Sequence, residues 1–375
     1  MREQKILKAS GQYDVLDSWF KDNGVRHVML VCGKSIQRQK INEYLEQVGE
    51  HLGVRITRFM GFQPNPLYEN VVDGVRIFRE EGCDAIIAVG GGSAMDVAKC
   101  IKLYSTMSGN GENGSFLKTD IEENDIPFLA MPTTSGTGSE ATRYAVIYYE
   151  GKKQSVSDYS CIPNTVLMDS SVLKTLPEYQ KKATMFDALC HAIESFWSVN
   201  STDESKEYSR KAIEMVFEHL DGYLVNTDEG NAGMLIASNL AGKAINITPT
   251  TAGHAMCYKI TSLFGCAHGH AAALCDRVLY LWMLENVDKC IDSRGKEYIE
   301  QTLDEIGHAM GCADGKSGAE KLVALFEKMN LEIPKATDEQ YEELKGSVNL
   351  VRLKNHPIEL SEDSIDALYH KILGE

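Results

Sequence analysis

The stretch AIIAVGGGSAMDVAKCIKLY, residues 85–104, decides the fold class. It opens with a short apolar run that predicts a buried strand, and a glycine-rich turn that ends in Ser93 follows directly. Residues 94–104 then show the apolar spacing of a helix. A buried strand that leads through a tight turn into a helix is typical of a βαβ unit.

The same alternation continues on both sides of this stretch. The predicted strands cover residues 27–33, 54–60, 127–134 and 165–171, and the predicted helices cover residues 36–52 and 67–82. Alternating strands and helices imply a parallel sheet with both faces covered. Two β runs within 145–158 flank Glu150-Gly151-Lys152, which predicts a hairpin at the margin of that sheet.

Pro177 marks a change in pattern, because β-rich runs nearly vanish from about Lys181 onward and helical spacing dominates. We therefore predict two domains. Residues 1–178 form an α/β domain with a parallel sheet, and residues 179–375 form an all-α domain. The segment GNGENG (109–114) is predicted to be an exposed loop.

Composition excludes several classes of protein. The 375 residues include 38 Lys and Arg against 54 Asp and Glu, a formal charge of −16 that argues against a nucleic-acid partner. Nowhere does the sequence approach the roughly 18 uninterrupted apolar residues of a membrane span. The ten cysteines form no CxxC pair, and the first residues lack a signal-peptide pattern. These features predict reduced thiols and a cytoplasmic location.

Two glycine-rich turns are candidates for cofactor binding. Gly91, Gly92 and Ser93 follow the strand of the opening stretch, and such a turn at a helix N-terminus suits a phosphate, although it is also found without a ligand. Residues 132–140 leave another strand and are rich in hydroxyl groups. Both turns would meet at the carboxyl edge of the sheet. Neither is a G-x-G-x-x-G fingerprint or a P-loop.

A set of metal-ligand side chains lies in the second half. Asp187 and His191 share one helix face because they are four residues apart, and His254 and His268 follow. One carboxylate and three imidazoles suit Fe(II), Zn(II) or Mn(II) with positions left open for substrate. The alternative is a helix-surface pair and two unrelated histidines.

Four motifs in order resemble the iron-containing (group III, metal-dependent) alcohol dehydrogenase family. They are GGGSAMDVAK (90–99), PTTSGTGSEAT (132–142), DALCHAIE (187–194) and GHAMCYKITSLFGCAHGHA (253–271). The resemblance implies a dehydroquinate synthase-like architecture and a homodimer. It also implies a divalent metal, Fe²⁺ as is usual in the family, whose ligands are Asp187, His191, His254 and His268. It also implies that the first domain binds NAD(H). The implied cofactor contacts are Asn65, Gly91, Gly92, Ser93, Asp96, Thr133, Thr134, Thr137, Ser139, Thr142 and Lys153.

The chain departs from the family pattern at two positions. Many members have a second His four residues after the third ligand, and here that position is Tyr258, which becomes the candidate proton donor. NAD-specific members often carry Asp at the end of the second strand, and here Gly33 stands there. Without that carboxylate a 2′-phosphate is not repelled, so NADP(H) is permitted beside NAD(H).

The candidate substrate residues are polar. They are Arg143, Tyr144, Asn246, Thr248, Thr250 and Tyr258. Arg143 suits a sulfonate or phosphonate, although it could instead form a structural salt bridge. The segments EATRYAVIY (140–148), SFWSVNSTDESKEYSRKAIE (195–214) and NLAGKAINIT (239–248) resemble the branch that contains sulfoacetaldehyde and phosphonoacetaldehyde reductases.

The expected function is reduction of a small anionic aldehyde, with sulfoacetaldehyde favoured over phosphonoacetaldehyde because only one cation stands out. The alternatives are a broad-range alcohol dehydrogenase, a lyase of the dehydroquinate-synthase type, and a non-enzymatic nucleotide-binding protein.

Overall fold

A computed structural model describes residues 4–348 and 353–374. Its first half is built on a six-stranded sheet in the order β1-β8-β5-β4-β2-β3, in which every pairing is parallel. The strands are β1 (Lys5–Ala9), β2 (His27–Cys32), β3 (Arg55–Phe59), β4 (Ala85–Gly90), β5 (Phe128–Pro132) and β8 (Thr165–Asp169).

The central strands explain this arrangement. Every residue of β2, β4, β5 and β8 is buried, as expected when helices cover both faces of a parallel sheet. The helices of this half are α1 (Val15–Asp22), α2 (Ile41–Leu52), α3 (Tyr68–Glu80) and α4 (Gly92–Tyr104). The predicted α/β fold class with a parallel sheet is confirmed.

Four details differ from the sequence-based expectations. β1 and α1 were not predicted, because KILKA alternates too weakly to stand out and is held at the sheet edge by pairing with β8. The hairpin lies apart from the six-stranded sheet, as a two-stranded antiparallel sheet of β6 (Tyr144–Tyr149) and β7 (Lys152–Ser157).

The predicted helix over 36–52 is interrupted. A short 3₁₀ segment, Lys34–Arg38, precedes α2, and the extended backbone at Gln39 separates the two. The segment 109–114 is only partly exposed. Gly111 is buried, and its carbonyl accepts a 2.7 Å hydrogen bond from the Tyr68 hydroxyl.

The second half is helical in the part of the chain that the structure describes. Its helices are α5 (Glu178–Trp197), α6 (Asp203–Leu224), α7 (Asp228–Ile247), α8 (Ala252–Phe264), α9 (His268–Glu285), α10 (Lys296–Ala309), α11 (Gly315–Met329), α12 (Asp338–Gly346) and α13 (Glu362–Leu373). None of the helices in the described residues combines the length and the apolar character that crossing a bilayer requires.

The chain divides into two compact units that differ from the predicted 1–178 and 179–375 domains. The first comprises Met1–Thr134, Gly138–Leu176 and Asn226–Leu235, and the second comprises the remainder. The boundary between the units that lies closest to the predicted one falls between Leu176 and Pro177. Residues 135–137 nevertheless belong to the second unit. Gly136 packs so tightly on α5 that an added Cβ would lie 2.8 Å from the Thr184 carbonyl oxygen.

Candidate metal centre and cofactor turns

Helix α5 places polar side chains inside the core of the second unit. Almost every residue from Ala183 to Trp197 is buried, and Asp187 and His191 are among them. Buried polar groups without partners are costly, so such a pair in an apolar helix needs a compensating interaction. The residues that provide it come from α8 and α9.

Asp187, His254 and His268 converge. One potential ligand atom from each lies within 4.8 Å of the others. Asp187 Oδ1 and His254 Nε2 are 3.8 Å apart, too far for a hydrogen bond, and neither atom has a hydrogen-bond partner among the described residues. A carboxylate oxygen and imidazole nitrogens that face each other in this way fit a divalent cation.

His191, the fourth predicted ligand, lies beside this trio and not within it. Its ring stacks on the His254 ring with centroids 4.5 Å apart. It also hydrogen-bonds with the backbone of Gly136, while its Nδ1 atom has no partner among the described residues. Burial lowers the pKa of His191 to about 4, so this imidazole is neutral at physiological pH, as a metal ligand must be.

The charges of the cluster favour a cation. Burial raises the pKa of Asp187, but His191, His254 and His268 outweigh burial and hold it far below its usual range. Burial lowers the pKa of His254, but Glu194 and Asp187 outweigh it and raise the value to about 9. A cation that binds His254 would therefore displace a proton.

Glu194 was missed as a functional residue. It is fully buried, and its Oε1 atom accepts hydrogen bonds from the backbone N–H and the Nδ1 atom of His254. The available signal was its spacing within DALCHAIE, because seven residues after Asp187 is again the same helix face. Asp276 is buried beside it, since a Cβ on Gly253 would lie 1.9 Å from Asp276 Oδ1 and 2.7 Å from Glu194 Oε1.

The first glycine-rich turn joins β4 directly to the N-terminus of α4, where free backbone N–H groups suit a phosphate. Helix α4 begins at Gly92 with Gly91 as its N-cap in an extended conformation. Ser93 is therefore inside the first turn of the helix and is not its N-cap. The turn also approaches Thr134 closely, since a Cβ on Gly91 would lie 3.3 Å from the Thr134 hydroxyl.

Lys99 ties α4 to the second turn. The side chain is fully buried, and Nζ donates to the Ser139 hydroxyl (3.1 Å), the Thr142 hydroxyl (3.0 Å) and the Tyr144 carbonyl (2.7 Å). Ser139 in turn donates to Asp96 at 3.1 Å. Burial raises the pKa of Asp96 to about 6 although Lys99 lowers it, so above that pH a carboxylate stands close to the expected pyrophosphate position.

The other expected cofactor contacts come from separate segments of the chain. The Thr133 backbone N–H is bound to the Gly90 carbonyl (3.0 Å), and Asn65 adopts the left-handed region with φ of 57°. Lys153 lies on β7 opposite Tyr148. Thr137 belongs to the second unit. Their cofactor roles stay predictions.

The expected substrate residues fall into two groups. In the first unit, the Arg143 guanidinium lies 4.8 Å from the Tyr144 ring centroid and 4.7 Å from that of Tyr159, and it donates to both phenol oxygens. The other expected substrate residues that are buried belong to the second unit, and they are Asn246, Thr248 and Thr250. The Thr248 hydroxyl forms hydrogen bonds with the backbone carbonyl and the hydroxyl of Ser195.

Tyr258 is half-buried next to the metal-ligand trio. Its ring stacks on His268 with centroids 5.3 Å apart and an interplanar angle of 22°. His270 follows His268 by two residues but is not directed toward this trio, since its ring nitrogens form hydrogen bonds with the Tyr179 hydroxyl and the Glu332 carbonyl. Tyr258 thus lies beside the cluster of Asp187, His254 and His268, whereas both ring nitrogens of His270 are engaged outside it.

Both halves of the chain match models of known protein families. Residues 3–170 match the family model of iron-containing alcohol dehydrogenases, and residues 181–373 match the C-terminal model of the Fe-containing alcohol dehydrogenase family. Alcohol dehydrogenase 4 of Schizosaccharomyces pombe is 30% identical over 298 residues, which are 78% of this chain and 68% of that protein. An NADPH-dependent butanol dehydrogenase of Clostridium saccharobutylicum is 30% identical over 67% of this chain and 66%, just under two thirds, of its own length.

Solved structures agree with these matches. A sulfoacetaldehyde reductase of Bifidobacterium kashiwanohense, solved in complex with NAD⁺, superposes with a TM-score of 0.87 at 25% identity, covering 100% of this chain and 98% of that one. The predictions of an NAD-linked oxidoreductase that uses a divalent metal are confirmed at the level of the family. Two family models that together span nearly the whole chain leave one conclusion: this protein belongs to the iron-containing alcohol dehydrogenase family.

Proposed function

We propose that this protein is a metal-dependent, NAD(P)H-linked reductase of a small anionic aldehyde, with sulfoacetaldehyde favoured and phosphonoacetaldehyde as the second candidate. The observation that carries the anionic substrate is the Arg143 guanidinium, which is half-buried between two tyrosine rings. The likeness to the sulfoacetaldehyde reductase of Bifidobacterium kashiwanohense supports it.

Arg143 is suited to bind a tetrahedral anion. The two phenols hold the planar guanidinium in one orientation, so less side-chain entropy is lost when an anion binds. Guanidinium N–H groups form paired, charge-assisted hydrogen bonds with sulfonate or phosphonate oxygens. A sulfonate carries one negative charge and a phosphonate up to two, and a single prominent arginine favours the sulfonate.

The second unit would hold the metal with Asp187, His254 and His268, with His191 as the fourth ligand. When bound, a divalent metal supplies Lewis-acid polarisation of the aldehyde carbonyl, and NAD(P)H supplies the hydride. Asp187 provides the negative charge of the site and the imidazoles provide neutral ligands. The Tyr258 hydroxyl would deliver the proton that completes the alcohol, because its ring lies against His268.

Gly33 permits either nicotinamide cofactor. A Cβ at Gly33 would have only the Ser35 hydroxyl nearby, at 4.0 Å, and the exposed residues Lys34 and Ser35 follow. Neither repels a 2′-phosphate, so both NADH and NADPH belong in the assay. The homodimer and the cytoplasmic location stay predictions.

The test is a comparison of initial rates of NADH and NADPH oxidation by metal-loaded protein with sulfoacetaldehyde, phosphonoacetaldehyde and butanal. We expect the highest kcat/KM with sulfoacetaldehyde. Arg143→Gln should lower that value by about 10- to 100-fold, because a hydrogen bond to a charged group contributes about 1.5–3 kcal/mol, and should leave the butanal rate unchanged. Arg26→Gln is the control, since the Arg26 side chain is 91% exposed.

A second candidate function is a broad-range alcohol dehydrogenase, favoured by the similarity to butanol dehydrogenase. Butanal rates equal to or above those with the anionic aldehydes would support it and would assign Arg143 a structural role. Metal-loaded protein that oxidises neither cofactor with any of the three aldehydes would contradict both proposals and bring the lyase alternative forward.

A further inference from the structure

We infer that Glu194 is a positioning residue of the metal centre: its carboxylate binds the Nδ1 side of His254 and thereby presents the Nε2 atom of that imidazole to the cation. This inference rests on the proposed metal centre. It concerns a side chain that belongs neither to the expected metal ligands nor to the expected substrate residues.

The first argument is the different environment of the two ring nitrogens of His254. Nδ1 is hydrogen-bonded to Glu194 Oε1. Nε2 has no hydrogen-bond partner among the described residues and faces Asp187 Oδ1 at 3.8 Å. A carboxylate that holds the proton on one ring nitrogen leaves the lone pair on the other, which is how metal-ligating histidines are commonly oriented.

The second argument is that the Glu194 carboxylate is itself fixed. Oε1 also accepts the backbone N–H of His254 (3.0 Å), and Oε2 accepts the backbone N–H (2.6 Å) and the hydroxyl (2.7 Å) of Thr251. The Thr251 hydroxyl is oriented by the Trp197 indole N–H at 2.8 Å. Four donors on two oxygens suit an ionised carboxylate, and they allow it a single orientation.

The third argument is that there is no room for a different arrangement. A Cβ on Gly253 would lie 2.7 Å from Glu194 Oε1 and 1.9 Å from Asp276 Oδ1, so the backbone of α8 lies directly against both carboxyl groups. Glu194 is wholly buried, which keeps it from contacting a substrate. Its effect must therefore pass through His254.

The test uses Glu194→Gln in the full-length protein, stripped of metal and then titrated. An amide at this position turns an NH₂ group toward donors, and so disturbs the orientation of His254. Zn²⁺ affinity is measured by competition with a chromophoric chelator, and the visible spectrum of the Co²⁺-loaded protein reports the ligand geometry. We expect Zn²⁺ binding about 10- to 100-fold weaker than in wild type, with an altered Co²⁺ spectrum.

Glu305→Gln is the matched control. It makes the same charge change on a carboxylate of the second unit that lies 3.5 Å from Lys206 and 3.4 Å from Arg210, and it should leave both readouts at the wild-type level. Zn²⁺ affinity within twofold of wild type and an unchanged Co²⁺ spectrum in Glu194→Gln would overturn the inference. A lower melting temperature alone does not support it.

A second variant covers the case in which Glu194→Gln does not fold. Thr251→Val removes one of the four donors to Glu194 and keeps the carboxylate, so it should weaken Zn²⁺ binding by a smaller factor. Wild-type affinity in that variant would overturn the inference. Wild-type protein that binds no stoichiometric Zn²⁺ would instead overturn the proposed metal centre, which separates the two failures.

Discussion

The contact between α5 and α9 predicts a large effect from the substitution Gly269→Ala. A Cβ at Gly269 would lie 2.1 Å from the Ala183 carbonyl oxygen, 2.6 Å from Asp187 Cβ and 2.7 Å from Asp187 N. Non-bonded carbon atoms prefer about 3.5–4 Å, so the two helices would have to separate by about 1 Å. We expect a loss of about 1–3 kcal/mol in the free energy of unfolding, as for other overpacked cores.

The same displacement should impair metal binding, because Gly269 adjoins His268 and the atoms it would strike include those of Asp187. Ligand distances in metal sites tolerate about 0.2 Å, so a shift of about 1 Å between two ligands should weaken Zn²⁺ binding at least about tenfold. Urea unfolding of the metal-free protein and chelator competition measure the two effects separately.

Gly346→Ala is the control for a glycine-to-alanine change. Gly346 ends α12, and nothing lies within 4 Å of its added Cβ, so alanine should be neutral or slightly stabilising there. If Gly269→Ala matched this control in both unfolding and Zn²⁺ affinity, the close approach of α9 to Asp187 would be wrong, and with it the geometry of the metal centre.

Three further predictions concern the metal centre and the cofactor turns. His191→Ala should abolish stoichiometric metal binding; metal content and turnover at wild-type levels would remove His191 from the ligand set. The pKa of Asp96 is about 6, so its carboxyl group is neutral below that pH and charged above it. Because the charged carboxylate would lie close to the pyrophosphate, metal-free protein should bind NAD⁺ more tightly at pH 5 than at pH 7.5. Asp96→Asn should flatten this dependence in a calorimetric titration. Lys99→Met removes the donor to three acceptors, so it should lower the free energy of unfolding by about 1–3 kcal/mol and weaken NAD⁺ binding. The control is Lys118→Met at an exposed lysine, which should change neither the unfolding curve nor the NAD⁺ affinity.

Much of the fold was predictable because its decisive segments are strongly patterned. β4 and α4 could be located from 85–104, since a fully apolar strand and a glycine-rich turn leave few alternatives. β1 could not, because only Leu7 and its pairing with β8 distinguish it from a polar terminus. The separation of the hairpin from the main sheet could not be predicted either, because it depends on tertiary contacts. One of them is the hydrogen bond from the Tyr148 backbone N–H to the Pro66 carbonyl.

The candidate site divides in the same way. Asp187 and His191 share a helix face, which spacing alone indicates. That His254 and His268 join Asp187 required the family resemblance, because the contacts lie more than 60 residues apart in sequence. Glu194 was present in a quoted motif and its spacing places it on the face of Asp187, yet its hydrogen bonds to His254 are tertiary contacts that spacing does not predict.

The interleaving of the two units limits how this protein can be dissected. A cut between residues 176 and 177 would give an N-terminal fragment without residues 226–235, which include the Asp228 carboxylate that pairs with Lys174 at 2.6 Å. The complementary fragment would lack residues 135–137, and with them the backbone partner of His191. Chimaeras between members of this family should therefore exchange three segments together, and a single crossover at the apparent domain boundary would yield two incomplete cores.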